Sequence, residues 1–210
     1  MLLLSTSNCM GFTVNPNNGG EMAQTRSLEE ISGEILRESL GLGALRYGEF
    51  RLSSGGTSRF YFDGRLLTLS PNGAALVGEA MLRLAREAGA EAIGGPTLGA
   101  DPMVTAVALL SGRDDGKPVS AFIVRKEQKA HGTANMIEGP VPVKARVVIV
   151  DDTCSTGSSL VHAIEAAESM GCEVALVAVI LDRNQGGSQQ LKLAGYPFHA
   201  LLEADADGQI

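Results

Sequence analysis

Cysteine is scarce in this 210-residue chain. Cys9, Cys154 and Cys172 are too few and too scattered for a disulfide framework. A reducing compartment, the cytoplasm, is the expectation that follows. Basic charge is also short, with 17 Lys and Arg against 24 Asp and Glu and a net charge of −7. That balance argues against broad electrostatic binding to nucleic acid or to an anionic membrane, while a local basic cluster could still hold a small anion. No apolar run is long enough to cross a bilayer. The start, Met1-Leu2-Leu3-Leu4-Ser5, lacks the basic n-region and the length of h-region that a signal peptide needs. The sequence shows no internal repeat, no Gly-Lys-Ser/Thr phosphate loop and no evident Ser-His-Asp set.

What is present alternates between strand and helix patterns. Residues 8–20 are rich in Asn and Gly, so residues 1–22 are expected to be a disordered extension. Ser27 and Glu30 form a capping-box pattern that opens a helix, with Leu28, Ile31, Ile35 and Leu36 on its apolar face and Gly41 and Gly43 at its end. Residues 45–65 suggest two short strands around the turn Ser53-Ser54-Gly55-Gly56. Pro71 starts a long helix to about Ala88. A strand at Ala92–Gly95, a helix over 101–111 and a strand at Val119–Val124 follow, then a polar loop over 126–142. A strand through Val147–Val150, a helix over 157–170, a strand at Glu173–Leu181, a short helix over 187–194 and a last strand near 198–202 complete the series. Such alternation predicts an α/β domain with a parallel sheet flanked by helices on both faces. The expected division is one domain over 23–210, with a small N-terminal cap over 23–66 and a core over 67–210.

The most informative segment is Val147-Val148-Ile149-Val150-Asp151-Asp152-Thr153-Cys154-Ser155-Thr156-Gly157-Ser158-Ser159. Four β-branched residues read as a buried parallel strand. Two carboxylates stand at its C-terminal end, where open α/β sheets put their ligands. A run of small residues then enters a helix, and backbone N–H groups in such a loop bind phosphate. Acids for hydroxyls beside amides for phosphate suit a phosphorylated sugar. Cys154 stands next to the predicted helix start, where a thiol pKa can fall. With no base or second cysteine near it in sequence, it reads as a small loop-filling residue.

A second constellation is Arg125-Lys126-Glu127-Gln128-Lys129-Ala130-His131-Gly132, directly after a predicted strand. Three fixed cations and a histidine within seven residues suit a polyanion. Cations that close over a departing anion stabilise the transition state more than the ground state. Gly132 and the polar stretch beyond it permit a mobile lid that excludes water.

The segment 147–159 resembles the phosphoribosyl-pyrophosphate (PRPP) motif of type I phosphoribosyltransferases. The Arg125–Gly132 order resembles the catalytic loop of the orotate phosphoribosyltransferases. The resemblance extends over about residues 27–203 and implies a type I phosphoribosyltransferase-like sheet whose core, 67–210, binds PRPP. It implies transfer of ribose 5-phosphate from PRPP to orotate, giving orotidine 5′-phosphate and pyrophosphate, a step of pyrimidine (UMP) synthesis. By the same resemblance Arg125, Lys126, Lys129 and His131 contact PRPP and pyrophosphate. Asp151 and Asp152 hold the ribose hydroxyls, directly or through Mg²⁺, and Thr153, Cys154, Ser155, Thr156, Gly157, Ser158 and Ser159 form the loop for the 5-phosphate. Lys126, Lys129, His131, Asp151 and Asp152 are the expected catalytic residues. Ser155, Arg183, Tyr61 and Phe62 are the expected orotate contacts; a guanidinium fork suits a planar carboxylate, and aromatic rings suit a pyrimidine. A homodimer with shared active sites is implied, because in these enzymes the lid of one subunit reaches its neighbour. Two departures stand out. Ser53 occupies a turn where many relatives carry lysine, and Thr97-Leu98-Gly99-Ala100 replaces a Tyr-Lys pair, so those PRPP contacts are absent or supplied by backbone amides.

Overall fold

In a computed structural model, the chain is described over residues 26–51, 56–114, 116–127 and 136–210. Hydrophobic periodicity and capping chemistry account for the helices. Helix α1 (Leu28–Gly41) begins at Ser27, whose hydroxyl accepts from the Glu30 N–H at 3.1 Å while Glu30 accepts from the Ser27 N–H at 2.6 Å. The expected capping box is therefore formed. Strands β1 (Leu45–Arg51) and β2 (Thr57–Phe62) pair antiparallel as a separate two-stranded sheet. A short helix, α2 (Gly64–Thr68), follows and was not legible in the sequence. It is capped by Asp63, whose carboxylate accepts from the Arg65 N–H at 3.1 Å. Helix α3 (Pro71–Glu87) has Ser70 as its cap and proline in its first turn, where a missing N–H is harmless.

The main sheet has six strands in the order β5-β4-β3-β6-β7-β8. They are β3 (Ala92–Pro96), β4 (Ser120–Val124), β5 (Ile137–Glu138), β6 (Arg146–Cys154), β7 (Glu173–Asp182) and β8 (Phe198–Glu203). All neighbouring pairs are parallel except β4–β5. The two-residue antiparallel strand β5 lies within the stretch expected as a polar loop. It pairs with the far end of β4, through Ile123 with Glu138 and Val124 with Ile137. Helices α4 (Asp101–Ser111), α5 (Ser158–Ser169) and α6 (Gly187–Leu193) complete the described elements.

Strand period 2 divides the core into two layers. Along β6, Val148 and Val150 face a cluster built with α1, α3 and α4, through Ile35, Met81 and Val104. Val147 and Ile149 face the other side, against Leu160, Ala163 and Ile164 of α5 and Leu191 of α6. Helices therefore cover both faces, as the alternating pattern predicted. Each of the Val, Leu, Ile and Met side chains among them, once excluded from water, contributes about 1.5–3 kcal/mol. Strand β3 is glycine-rich because its neighbours leave no room: a Cβ on Gly94 would run into the Phe122 ring, and one on Gly95 into the Val150 carbonyl. This close approach brings the ends of β3 and β6 together and sets the separation of the two loops that leave them.

Candidate active site

The site lies at the C-terminal ends of β3, β4, β6 and β7. Strand β6 runs further than the sequence pattern indicated, through Cys154, so the two acids belong to the strand itself. Asp151 is buried, and both of its oxygens are engaged. Ser159 Oγ donates to Oδ2 at 2.8 Å, and the Asp152 N–H donates to Oδ1 at 2.9 Å. Burial, then the neighbouring Asp152 charge, pushes the Asp151 carboxyl up to about 7. Burial also raises Asp152, and hydrogen bonds from Thr153 oppose it. Two glycines make room for the pair. A Cβ on Gly64 would lie 2.6 Å from Asp152 Cβ, and a Cβ on Gly99 would collide with the Asp151 carboxylate. The peptide bond Thr97–Leu98, in the loop that carries Gly99, is cis.

After Cys154 the chain turns through Ser155 and Thr156 to Gly157, which has φ +79° and caps α5 without a side-chain bond. Glycine takes that left-handed conformation at little cost. The first-turn N–H groups of a helix have no intrahelical acceptor, so this turn presents donors to an anion. Thr156, Ser158 and Ser159 are exposed, Ser155 is half-buried, and Gly157 is buried. Cys154 is different. Its side chain packs into the core beneath the sheet, and burial with the charges of Asp182 and Asp151 pushes the thiol up to about 12. It is a neutral packing residue whose carbonyl accepts from the Arg183 N–H at 2.8 Å.

That bond sets Arg183 beside the acids, just past the end of β7. Its guanidinium lies over the Phe60 ring, 5.1 Å from the centroid. Burial lowers its pKa, and the charges of Asp152 and Tyr61 act against that shift. Its Nε is buried without a hydrogen-bond partner, and no salt bridge to Arg183 occurs among the described residues. Tyr61 and Phe62 alternate along β2, so their side chains leave opposite faces. Tyr61 is half-buried, with the Arg46 guanidinium 5.0 Å from its ring centroid, and Phe62 is packed in the core with Phe60. Phe60 on β2, rather than Phe62, thus lies against Arg183.

Arg125 and Lys126 follow β4. The Arg125 guanidinium donates to Glu138 at 3.2 Å, and its N–H donates to the Met136 carbonyl at 2.9 Å. His162 of α5 donates from Nε2 to the Arg125 carbonyl at 2.9 Å, which fixes that tautomer. A 570 Å³ cleft opens here, lined by Thr97, Asp101, Ile123, Arg125, Lys126, Glu127 and Glu138. Lys129 and His131 lie outside the described residues, as does Ser53. Another cleft, of 660 Å³, opens beside the far end of α4; Arg26, Arg83, Arg86 and Arg113 line it, and the first three are paired with acids.

Several site residues escaped the sequence reading. Arg65 lies where the charges of Asp152 and Tyr61 act on it, after its main partner Asp63 at 3.0 Å. Arg46, Phe60, Gly64 and Gly99 are also brought in from the hairpin and the β3 loop. Only Gly99 carried a signal, its place after the strand-end Gly-Pro-Thr-Leu; the others are ordinary residues until the chain folds. Among the described residues no group of three His, Cys, Asp or Glu side chains could hold a metal.

This arrangement has close counterparts. The phosphoribosyl transferase domain profile matches residues 79–195. An orotate phosphoribosyltransferase of Tropheryma whipplei (strain TW08/27) is 43% identical over 201 residues, covering 95% of this chain and 93% of its own. One of Aquifex aeolicus is 41% identical over 154 residues, 73% of this chain and 84% of its own. The crystal structure of Mycobacterium tuberculosis orotate phosphoribosyltransferase in complex with PRPP superposes with a TM-score of 0.67 at 32% identity, over 82% of this chain and 96% of that one. The acid pair, the small-residue turn and Arg183 thus stand on a shared framework, and the chain belongs to the orotate phosphoribosyltransferase family.

Proposed function

We propose that this chain transfers the 5-phosphoribosyl group of PRPP to orotate, releasing pyrophosphate and forming orotidine 5′-phosphate. The observation that carries the reading is the meeting of three features at one sheet end: the Asp151–Asp152 pair, the Ser155–Ser159 turn, and Arg183 with no salt bridge among the described residues. A desolvated arginine held on an aromatic face is ready to receive a ligand carboxylate, and orotate supplies one. The turn would hold the 5-phosphate through the amides of the first turn of α5. Asp152, the more open acid, would accept from the ribose hydroxyls, while Asp151 fixes the turn through Ser159.

Catalysis would rest on placement and charge. Orotate nitrogen attacks the anomeric carbon as the bond to pyrophosphate breaks, and positive charge builds on the ribose. Asp151 and Asp152 would face that charge and stabilise it. Arg125 and Lys126, with Lys129 and His131 from the same segment, would stabilise the leaving pyrophosphate. Holding both substrates in line removes much of the entropic barrier. No covalent enzyme intermediate is required. The donor set fits Mg²⁺ in an assisting role, since the acid pair is already hydrogen-bonded and lacks a third ligand. When bound, the ion would neutralise charge on pyrophosphate and ribose oxygens.

The active unit would be a homodimer working in the cytoplasm. An open, mainly apolar groove of 590 Å³ supports the dimer. It includes Leu69, Leu98 and Leu109 and adjoins the cleft beside Arg125 through Asp101. Leu69 and Leu98 are 73% and 62% exposed, a cost that a second copy would remove. If the sites are shared, mixing Lys126→Ala and Arg183→Ala chains, assayed at orotate well below the raised KM of Arg183→Ala, restores about a quarter of wild-type sites, by random pairing. Strict absence of recovery after subunit exchange would show self-contained sites. The test of function is PRPP-dependent orotate consumption with Mg²⁺, with uracil, adenine and hypoxanthine in parallel. Turnover with another base and none with orotate would overturn the orotate assignment while leaving the PRPP site.

A further inference from the structure

The segment from Arg183 to Gly187 touches the phosphate turn at both of its ends. The Arg183 N–H donates to the Cys154 carbonyl at 2.8 Å, and the Gly187 N–H donates to the Ser155 carbonyl at 3.0 Å. Consecutive carbonyls of the turn are therefore held by the two ends of one five-residue segment. The segment is itself braced. Asn184 adopts φ +52°, accepts no strain relief from glycine, and is fixed by its N–H to Asp182 Oδ1 at 2.9 Å and its Nδ2 to the Ala204 carbonyl at 2.6 Å. Asp182 is 1% exposed. At Gly187 the fit is close enough to exclude any side chain. A Cβ there would lie 2.6 Å from Gly157 N and Thr156 C and 2.7 Å from Ser155 O. All three are backbone atoms, so the turn itself would have to move. Its neighbour Gly186 has φ +96°, but a Cβ on it would meet nothing within 4 Å.

We infer that Gly187 is a positioning residue for the phosphate turn, and that the Arg183–Gly187 segment mechanically couples the carboxylate-binding arginine to the 5-phosphate site. The inference rests on reading residues 155–159 as that phosphate site. It assigns a role in PRPP placement to a residue that never touches PRPP. Displacing bound groups by about 1 Å costs up to 10²-fold, so Gly187→Ala raises KM for PRPP by tenfold or more. KM for orotate rises by a smaller factor, through the shift passed on to Arg183, and the melting temperature falls by about 2–10 °C. Gly186→Ala is the comparison, because it strains the same bend without striking the turn. It keeps KM for PRPP within about threefold of wild type. Equal KM changes in the two variants, or a folded Gly187→Ala with wild-type KM, would overturn the inference.

Amide exchange in the wild-type protein decides the matter if Gly187→Ala does not fold. Ribose 5-phosphate, used as the probe, slows exchange at the 156–159 amides and at Gly187 together. Protection of the turn without any change at Gly187 sinks the coupling alone. No protection at the turn removes the phosphate-site reading and the coupling with it.

Discussion

Val147–Val150 and Cys154, which form the floor of the site, are between 0% and 1% exposed. At the rim, the Arg125 and Glu138 side chains keep 41% and 43% of their surface in water. The two regions therefore act through different physics. On the floor a charge is shifted by desolvation, as at Asp151 and Arg183, and a missing atom leaves a hole. At the rim an ion pair is screened and contributes at most about 1 kcal/mol to stability, so rim residues are free to be chosen for the ligand. Stability should reside on the floor, and response to pyrophosphate at the rim.

The sharpest break of that contrast is Leu160→Ala. Leu160 is fully buried under the turn at the start of α5, and its truncation should cost about 2–5 kcal/mol in chemical denaturation. A loss below about 1 kcal/mol would mean that the floor is not the rigid element. Lys126→Ala tests the opposite pole. It should lower kcat by about 10²–10³, the scale of removing one preorganised charge, with no change in melting temperature. Wild-type turnover would remove Lys126 from the catalytic loop. Arg183→Ala should raise KM for orotate about a hundredfold and KM for PRPP far less, measured in steady-state assays.

The last test is in pH dependence. Burial, then Asp152, raises Asp151 from its usual 3.8 to about 7. Between those values the folded chain keeps a proton that the unfolded chain has released. The contribution of Asp151 to stability is therefore complete below about pH 4 and lost as pH rises through about 7. Asp151→Asn removes that decline. The difference in unfolding free energy between variant and wild type should grow across this window and level off above it. A constant difference would mean that Asp151 titrates normally.

Local chemistry made much of the fold legible. The Ser27–Glu30 box, Pro71 and the β-branched run of β6 each satisfy their own backbone, so their neighbours in sequence were enough to read them. Helix α2 was missed because five residues with one Asp cap carry no periodicity. Strand β5 was missed because two residues become a strand only when β4 offers them an edge. In the site, Asp151, Asp152 and Arg183 were visible through motif order. Phe60 was not, since its role depends on a guanidinium that arrives from residue 183. Cys154 could be placed in the turn from sequence, but its side-chain direction follows from strand β6 extending past the acids.

The sequence by itself determined where the chemically capable residue types stand: hydroxyl and glycine residues suited to an anion, paired acids at a strand end, and clustered cations after β4. Those properties belong to residue types and to spacing within a few positions. Only the tertiary structure decided which of the two acids is buried, that Arg183 makes no salt bridge among the described residues, and that Gly187 closes against the Ser155–Gly157 turn. Desolvation, charge pairing and steric exclusion are set by atoms far apart in the chain, and they acquire values only when the sheet brings those atoms together.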